Sequence, residues 1–100
     1  MANTYYTTTN LWICTDAGAL NTGGVTVMKV VYIPAAIDDD LIITDSADYP
    51  AIVLKAAHVE VAPVQLDFGP KGRQLPSLKI GTIDGGTVYI YLKREYQVKI

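Results

Sequence analysis

The sequence predicts an all-β protein: a single-domain antiparallel β-sandwich or jelly roll of about seven to nine short strands with extended termini. Runs rich in Val, Ile, Thr and Tyr recur along the 100 residues, and turn-forming residues separate them about every eight to twelve positions. No stretch repeats the i, i+3, i+4, i+7 apolar spacing of a helix. Because 50% of the residues are hydrophobic and only 18% are charged, we expect the chain to bury a core.

The N-terminal part begins with an uncharged segment. Residues 1–9 are rich in Thr and Tyr and predict an extended arm or an edge strand. Residues 11–15 predict the next strand, in which Trp12 is interpreted as an anchor in the core or between two sheets. The polar, Gly-rich residues 16–24 predict a loop.

Residues 25–33 are the strongest strand in the sequence, and Pro34 ends them. Both faces of this strand are largely apolar, which indicates a central strand. We expect Lys29 to reach the rim of the sheet or to find a carboxylate. Strict alternation places Val25, Val27, Lys29, Val31 and Ile33 on one face, and Thr26, Met28, Val30 and Tyr32 on the other.

Two hairpins are predicted. The first joins residues 41–44 to residues 51–55 through a turn rich in Asp, Ser and Pro. The second joins residues 78–83 to residues 87–92 through Asp84-Gly85-Gly86, a short Asp-Gly loop between two β-rich runs.

Alternation in the last of these runs has a functional implication. Val88, Ile90 and Leu92 are expected to face the core. Tyr89 and Tyr91 are then expected to face solvent or a partner.

Between the hairpins, residues 56–68 predict extended chain that Pro63 interrupts, with alternation resuming at Val64, Leu66 and Phe68. Residues 69–74 predict a flexible, basic loop. We therefore expect an arm over residues 1–9, the sandwich over residues 10–93 and a C-terminal β arm over residues 94–100.

Composition excludes several classes of partner. The net charge is −2 and no basic cluster exceeds the pair Lys93-Arg94, so a nucleic-acid partner is not expected. No apolar run approaches the ~20 residues of a spanning helix, so no membrane partner is expected. Cys14 is the single cysteine and no leader pattern opens the sequence, which indicates a protein made in a reducing cytosol.

Catalytic and metal motifs are absent. His58 and Glu60 share a strand face, but no Ser or Cys has the context of a nucleophile. The run Asp38-Asp39-Asp40, with Asp45 and Asp48, raises the question of a Ca²⁺ site, yet it lacks the DxDxDG spacing and a closing Glu. Solvated loop residues are the favoured interpretation. The sequence predicts a protein that is not an enzyme and uses no cofactor or metal.

Residues 82–92, TIDGGTVYIYL, also carry a resemblance to a known class of protein. Together with the N-terminal MANT and the residues ITD at positions 43–45, they resemble small virion proteins encoded among the structural genes of tailed bacteriophages. The resemblance implies a protein that decorates or cements the capsid, or lies elsewhere on the particle.

The first functional hypothesis is a non-enzymatic virion structural protein, a capsid decoration or cement protein. It would oligomerise, for instance as a trimer, and bridge subunits of the major capsid protein on the capsid surface, after synthesis in the cytoplasm of the host bacterium. Tyrosines offer contact area at low entropic cost, and extended β termini can pair with a neighbouring strand. The candidate interface residues are Tyr5, Tyr6, Tyr89, Tyr91, Tyr96, Val98 and Ile100.

Two alternatives stay open. The first is a carbohydrate- or ligand-binding β-sandwich module, in which Trp12, Tyr89 and Tyr91 stack on sugar rings and the loop at residues 38–40 supplies polar contacts or Ca²⁺. The second is a neck or tail component of the same kind of particle.

Overall fold

The structure, a computed structural model, describes residues 3–21, 23–45, 49–56 and 61–93. These residues form ten β-strands and no helix. The prediction of an all-β antiparallel sandwich is therefore confirmed, with ten strands instead of about seven to nine. The strands are β1 (Thr4–Tyr6), β2 (Leu11–Cys14), β3 (Gly18–Asn21), β4 (Val25–Ile33), β5 (Asp40–Thr44), β6 (Pro50–Lys55), β7 (Val64–Asp67), β8 (Arg73–Leu75), β9 (Leu78–Ile83) and β10 (Thr87–Leu92).

The strands belong to two sheets. The large sheet has six strands in the order β1-β2-β10-β4-β7, with β8 paired to the first residues of β4. The small sheet has four strands in the order β3-β9-β5-β6. Every pairing between the described strands is antiparallel.

The core lies between the sheets because each sheet turns its aliphatic side chains toward the other. This burial is the main source of stability for a chain with so few charges. The large sheet contributes Val30, Tyr32, Val88 and Ile90, and the small sheet contributes Leu41, Ile43, Leu78 and Ile80, all of them at most 1% exposed.

A β-bulge in β4 corrects the predicted alternation. Tyr91 of β10 pairs with Lys29 and Leu92 pairs with Val27, which leaves Met28 as an extra residue. Val27 and Val30 are consequently both 0% exposed, although strict alternation places them on opposite faces. The assignment of faces in residues 25–33 was wrong because an inserted residue reverses the side on which each following side chain lies.

The second predicted hairpin is also wrong. β9 pairs with β3 and β5 in the small sheet, whereas β10 pairs with β2 and β4 in the large sheet. Asp84-Gly85-Gly86 connects the two sheets as an arch, so the buried side chains of β9 and β10 face one another across the core. The first predicted hairpin is confirmed, because β5 and β6 pair directly.

Two predicted loops contain strands. Residues 16–24 include β3, whose Leu20 packs against the core and whose backbone pairs with β9. Residues 69–74 lead into β8, where Gln74 pairs with Thr26 of β4. Pairing with a long neighbouring strand outweighs the local preference of Gly-rich sequence for loops.

The arms are described in part. β1, which lies within residues 1–9, pairs with β2 and forms an edge of the large sheet. The C-terminal candidates Tyr96, Val98 and Ile100 lie outside the described residues. His58 and Glu60 also lie outside them.

Candidate functional site

The outer surface of the large sheet is the first candidate site. Register places Tyr89 beside Ile13 and Val31, and Tyr91 beside Leu11 and Lys29. Cross-strand neighbours share one face, so two rows of side chains run across the sheet. We call this surface the tyrosine face and define it by Tyr6, Leu11, Ile13, Val31, Tyr89 and Tyr91.

Side chains of the tyrosine face are half-buried or exposed, without a covering element among the described strands. Tyr6 is 47% exposed and Tyr91 is 36% exposed. The Nζ atom of Lys29 lies 5.3 Å from the centroid of the Tyr91 ring, a cation–π distance. Lys29 also lies in register with Asp67 of β7, but the contact that its ammonium group makes among the described residues is with the Tyr91 ring and not with a carboxylate. The face is thus mostly apolar, with polar groups along the β7 edge.

Tyr5 lies on the inner side of the large sheet, since its cross-strand partner is Trp12. The two ring centroids are 5.1 Å apart, and the Tyr5 hydroxyl donates a hydrogen bond to Oδ1 of Asn10 at 3.0 Å. The predicted interface candidates in the described residues are therefore split. Tyr6, Tyr89 and Tyr91 share the outer surface, whereas Tyr5 lies half-buried on the other side of the sheet, beside Trp12.

Trp12 connects the two sheets. It packs against the core, and its Nε1 donates to Oδ1 of Asn21 in the small sheet at 2.9 Å. The interpretation of Trp12 as an anchor is confirmed. Because Trp12 pairs with Ile90, its side chain lies on the opposite side of the sheet from Tyr89 and Tyr91, and the three rings do not form one stacking surface.

The acidic run at residues 38–40 is used by the fold. Oδ2 of Asp39 accepts hydrogen bonds from the backbone N–H groups of Ala35 and Ala36, at 3.0 and 2.9 Å. Oδ1 of Asp40 lies 3.0 Å from Nζ of Lys55, whose pKa is raised by this hydrogen bond. Among the described residues, no cluster of His, Cys, Asp or Glu could hold a metal ion.

Two buried titratable groups are held in their neutral form. Burial raises the pKa of the Cys14 thiol to about 12, with a smaller contribution from Asp16. Burial, followed by the charges of Asp39 and Asp84, raises the pKa of Tyr32 to about 12. Cys14 is therefore a protonated core residue at neutral pH and not an activated nucleophile.

The second candidate site is a cleft at the end of the sandwich where β4 begins. A cavity of about 470 Å³ is lined by Gly24, Val25, Thr26, Gln74, Leu75 and Pro76. A cavity of about 130 Å³ shares Gly24, Val25 and Thr26 with it and is also lined by Tyr5, Asn10, Asn21, Leu92 and Lys93. We call the two together the amide cleft.

The sequence analysis missed Asn10, Asn21 and Gln74. They lie in three separate segments, and only strand pairing and the contact of Trp12 with Asn21 bring these segments to one end of the sandwich. A feature that could have identified one of them is the position of Asn10 directly before a strand, because Asn tolerates the positive φ of 54° found there.

Comparison with known proteins gives little beyond the class that the fold defines, an antiparallel β-sandwich. No family model matches the chain, and no curated protein matches it significantly. A solved structure with a similar fold is a fucose-binding module of Streptococcus pneumoniae, with 18% identity and a TM-score of 0.44. The match covers 85% of this chain and 65% of that one, so this chain spans less than two thirds of the module. A similarity of this size gives no information about a ligand of this chain.

In the part of the chain that the structure describes, no helix is long and apolar enough to cross a membrane.

Proposed function

We propose that this protein is an assembly module that binds other protein surfaces, including a second copy of itself, through the tyrosine face. The observation that carries the proposal is the pair of mostly apolar rows of side chains that cross β1, β2, β10 and β4 on the outer surface of the large sheet. Contiguous apolar patches of this kind mark interaction sites on soluble proteins, and tyrosine is enriched at their centres.

The chemistry of this face favours protein over sugar. Leu11, Ile13 and Val31 lie beside the tyrosines and offer no hydrogen-bonding side-chain group. A sugar would leave hydroxyl groups unpaired against these aliphatic side chains, whereas an apolar protein surface brings no such groups.

We propose that this assembly takes place on a viral capsid. The resemblance of residues 82–92 to virion proteins of tailed bacteriophages supports it. On this proposal the tyrosine face bridges major capsid protein subunits as decoration or cement. The copy number per particle separates this from the neck or tail alternative, since hundreds of copies indicate the shell and a few to a dozen indicate the neck or tail.

Self-association tests the interface directly. Sedimentation of the unmodified protein should show oligomers, and the double variant Tyr89→Ser/Tyr91→Ser should weaken association by at least about 30-fold, the equivalent of ~2 kcal/mol for loss of tyrosine anchors. Tyr49→Ser is the matched control because Tyr49 is 70% exposed and lies in the small sheet's β5–β6 connection. Equal association of all three proteins, or loss of folding in the double variant, would contradict the proposal.

Carbohydrate binding is the second candidate function. The expected platform of Trp12, Tyr89 and Tyr91 is not formed. The observation that favours carbohydrate binding is instead the amide cleft, where uncharged amide side chains lie beside the ring of Tyr5. Glycan-array binding by the unmodified protein, absent from a variant in this cleft, is the measurement that would separate it from assembly.

A further inference from the structure

Two amide groups of the cleft, those of Asn10 and Asn21, accept hydrogen bonds from aromatic side chains. Trp12 Nε1 can only donate, so its hydrogen bond of 2.9 Å turns the oxygen of Asn21 toward the indole. The hydroxyl of Tyr5, which can donate or accept, donates to the oxygen of Asn10 at 3.0 Å. Neither Nδ2 atom has a hydrogen-bond partner among the described residues. Both amides therefore offer N–H donors to a ligand.

The charged residue of the cleft favours the same kind of ligand as these donors do. Lys93 lines the same cavity as Asn10 and Asn21 and adds an ammonium group, which can only donate hydrogen bonds. No Asp or Glu of the described residues lines either cavity, although the whole chain carries a net charge of −2. A ligand that fits must be rich in hydrogen-bond acceptors, and a negative charge on it would be stabilised.

The remaining walls suit a ring with an apolar face. The ring of Tyr5 lines the smaller cavity and is held by Trp12 at 5.1 Å between centroids. Leu75 and Pro76 line the larger cavity, and Gln74 adds one amide that can both donate and accept. The larger cavity, of about 470 Å³, lies in the size range of ligand sites, and the smaller cavity, of about 130 Å³, adjoins it at Gly24, Val25 and Thr26.

We propose that the amide cleft binds an acidic saccharide, a hydroxyl-rich ring that carries a carboxylate. The carboxylate would accept hydrogen bonds from Nδ2 of Asn21 and Asn10 near the ammonium group of Lys93, and the ring would lie against Tyr5. This inference rests on the second candidate function and gives it a site and a ligand class. It shares no residue with the tyrosine face, so either proposal can fail alone.

The experiment titrates the full-length protein with oligosaccharides of galacturonic, glucuronic and mannuronic acid, each beside its neutral methyl ester. Calorimetry measures affinity, and the indole N–H resonance of Trp12, the single tryptophan, reports on the cleft through its bond to Asn21. We expect at least one acid to bind about tenfold or more tightly than its ester, because charge-assisted hydrogen bonds are the stronger ones. If no acid binds more tightly than its ester, the proposal of an acidic ligand is overturned. If acid and ester then bind with equal affinity, carbohydrate binding at the cleft is retained without the acidic preference.

Isosteric variants locate the site. Asn21→Asp keeps an acceptor for Trp12 but replaces the free donor by a negative charge, and Asn10→Asp does the same beside Tyr5. Each should lower affinity for the acid at least tenfold with an unchanged melting temperature. Gln65→Glu makes the same charge change on exposed β7 and should leave affinity unchanged. Equal losses in all three variants would show long-range charge repulsion instead of a site and would overturn the proposal.

Discussion

The two ends of the sandwich use polar residues in opposite ways. At the acidic end, formed by residues 34–40 and 84–86, carboxylates bind the protein's own backbone: Oδ2 of Asp84 accepts from the N–H of Asp40 at 2.8 Å, and Asp39 binds two further N–H groups. At the amide cleft, the side-chain hydrogen bonds that Asn10 and Asn21 form with other described residues involve only their oxygens. The carboxylates of the acidic end thus stabilise the fold, whereas the amide nitrogens of the cleft are the groups that we propose for ligand binding.

The glycines of the two ends give the largest predicted difference. Gly86 at the acidic end has φ +85°, and a Cβ there would collide with the carbonyl oxygen of Ile33 and lie 2.8 Å from Cα of Pro34. Gly86→Ala should therefore lower the free energy of unfolding by at least about 3 kcal/mol. At the cleft, a Cβ on Gly24 would meet only the Leu75 carbonyl oxygen at 3.6 Å, so Gly24→Ala should stay within about 1 kcal/mol.

Urea denaturation measures both changes. Gly69→Ala is the control for backbone strain alone, since Gly69 has φ +79° and no atom within 4 Å of the added Cβ. It should cost about 1–2 kcal/mol. If Gly86→Ala were no worse than Gly69→Ala, the close packing of the acidic end would not matter for stability.

Tyr32→Phe should have an intermediate effect. The buried hydroxyl of Tyr32 donates to the carbonyl oxygen of Gly85 at 2.7 Å, and its loss should cost about 1–2 kcal/mol. The pKa of Tyr32 is raised from 10.0 to about 12 in the folded protein, so between these pH values the unfolded chain releases its proton first. Stability of the unmodified protein should therefore fall as pH rises from 10 to 12.

Denaturation midpoints at pH 8, 10 and 11.5 check this prediction. Tyr32→Phe should show a shallower alkaline decline, with the remainder due in part to Cys14, whose pKa is raised from 9.0 to about 12. Tyr49→Phe, at an exposed position, serves as the control and should match the unmodified protein. An identical decline in Tyr32→Phe would mean that this hydroxyl does not titrate with unfolding.

Lys55→Gln should have the smallest effect at the acidic end. The pair of Lys55 and Asp40 is solvent-exposed, so water and salt screen the attraction across its 3.0 Å. The midpoint of denaturation should change by no more than experimental error, at low salt and at 0.5 M salt alike. A loss as large as that of Tyr32→Phe would show that the charges of this end act as one network.

Local patterns predicted strands well and their partners less well. The pairing of β5 with β6 follows from two runs and a turn. The same reasoning failed for β9 and β10, because alternation is identical whether two strands lie side by side or face each other across a core. The β-bulge at Met28 was not predicted for a related reason. Where both faces of a strand are apolar, an inserted residue does not change the hydrophobic pattern.

The candidate site residues also differ in whether a local pattern could predict them. The outward position of Tyr89 and Tyr91 can be read from the alternation with Val88 and Ile90, which are 0% exposed. Asn10 and Asn21 could not be found in that way, since their role depends on hydrogen bonds to Tyr5 and Trp12 formed only after the sheets pack. Whether the tyrosines form an interface stays a prediction.

The position of β10 has a consequence for synthesis. Although it comes last among the described strands, β10 lies in the middle of the large sheet, between β2 and β4. A ribosome must therefore release the chain through Leu92 before β2 and β4 can be joined, and until then each exposes an unpaired edge. Released chains truncated before residue 87 should therefore aggregate more readily than the full-length protein, in which β10 covers both edges.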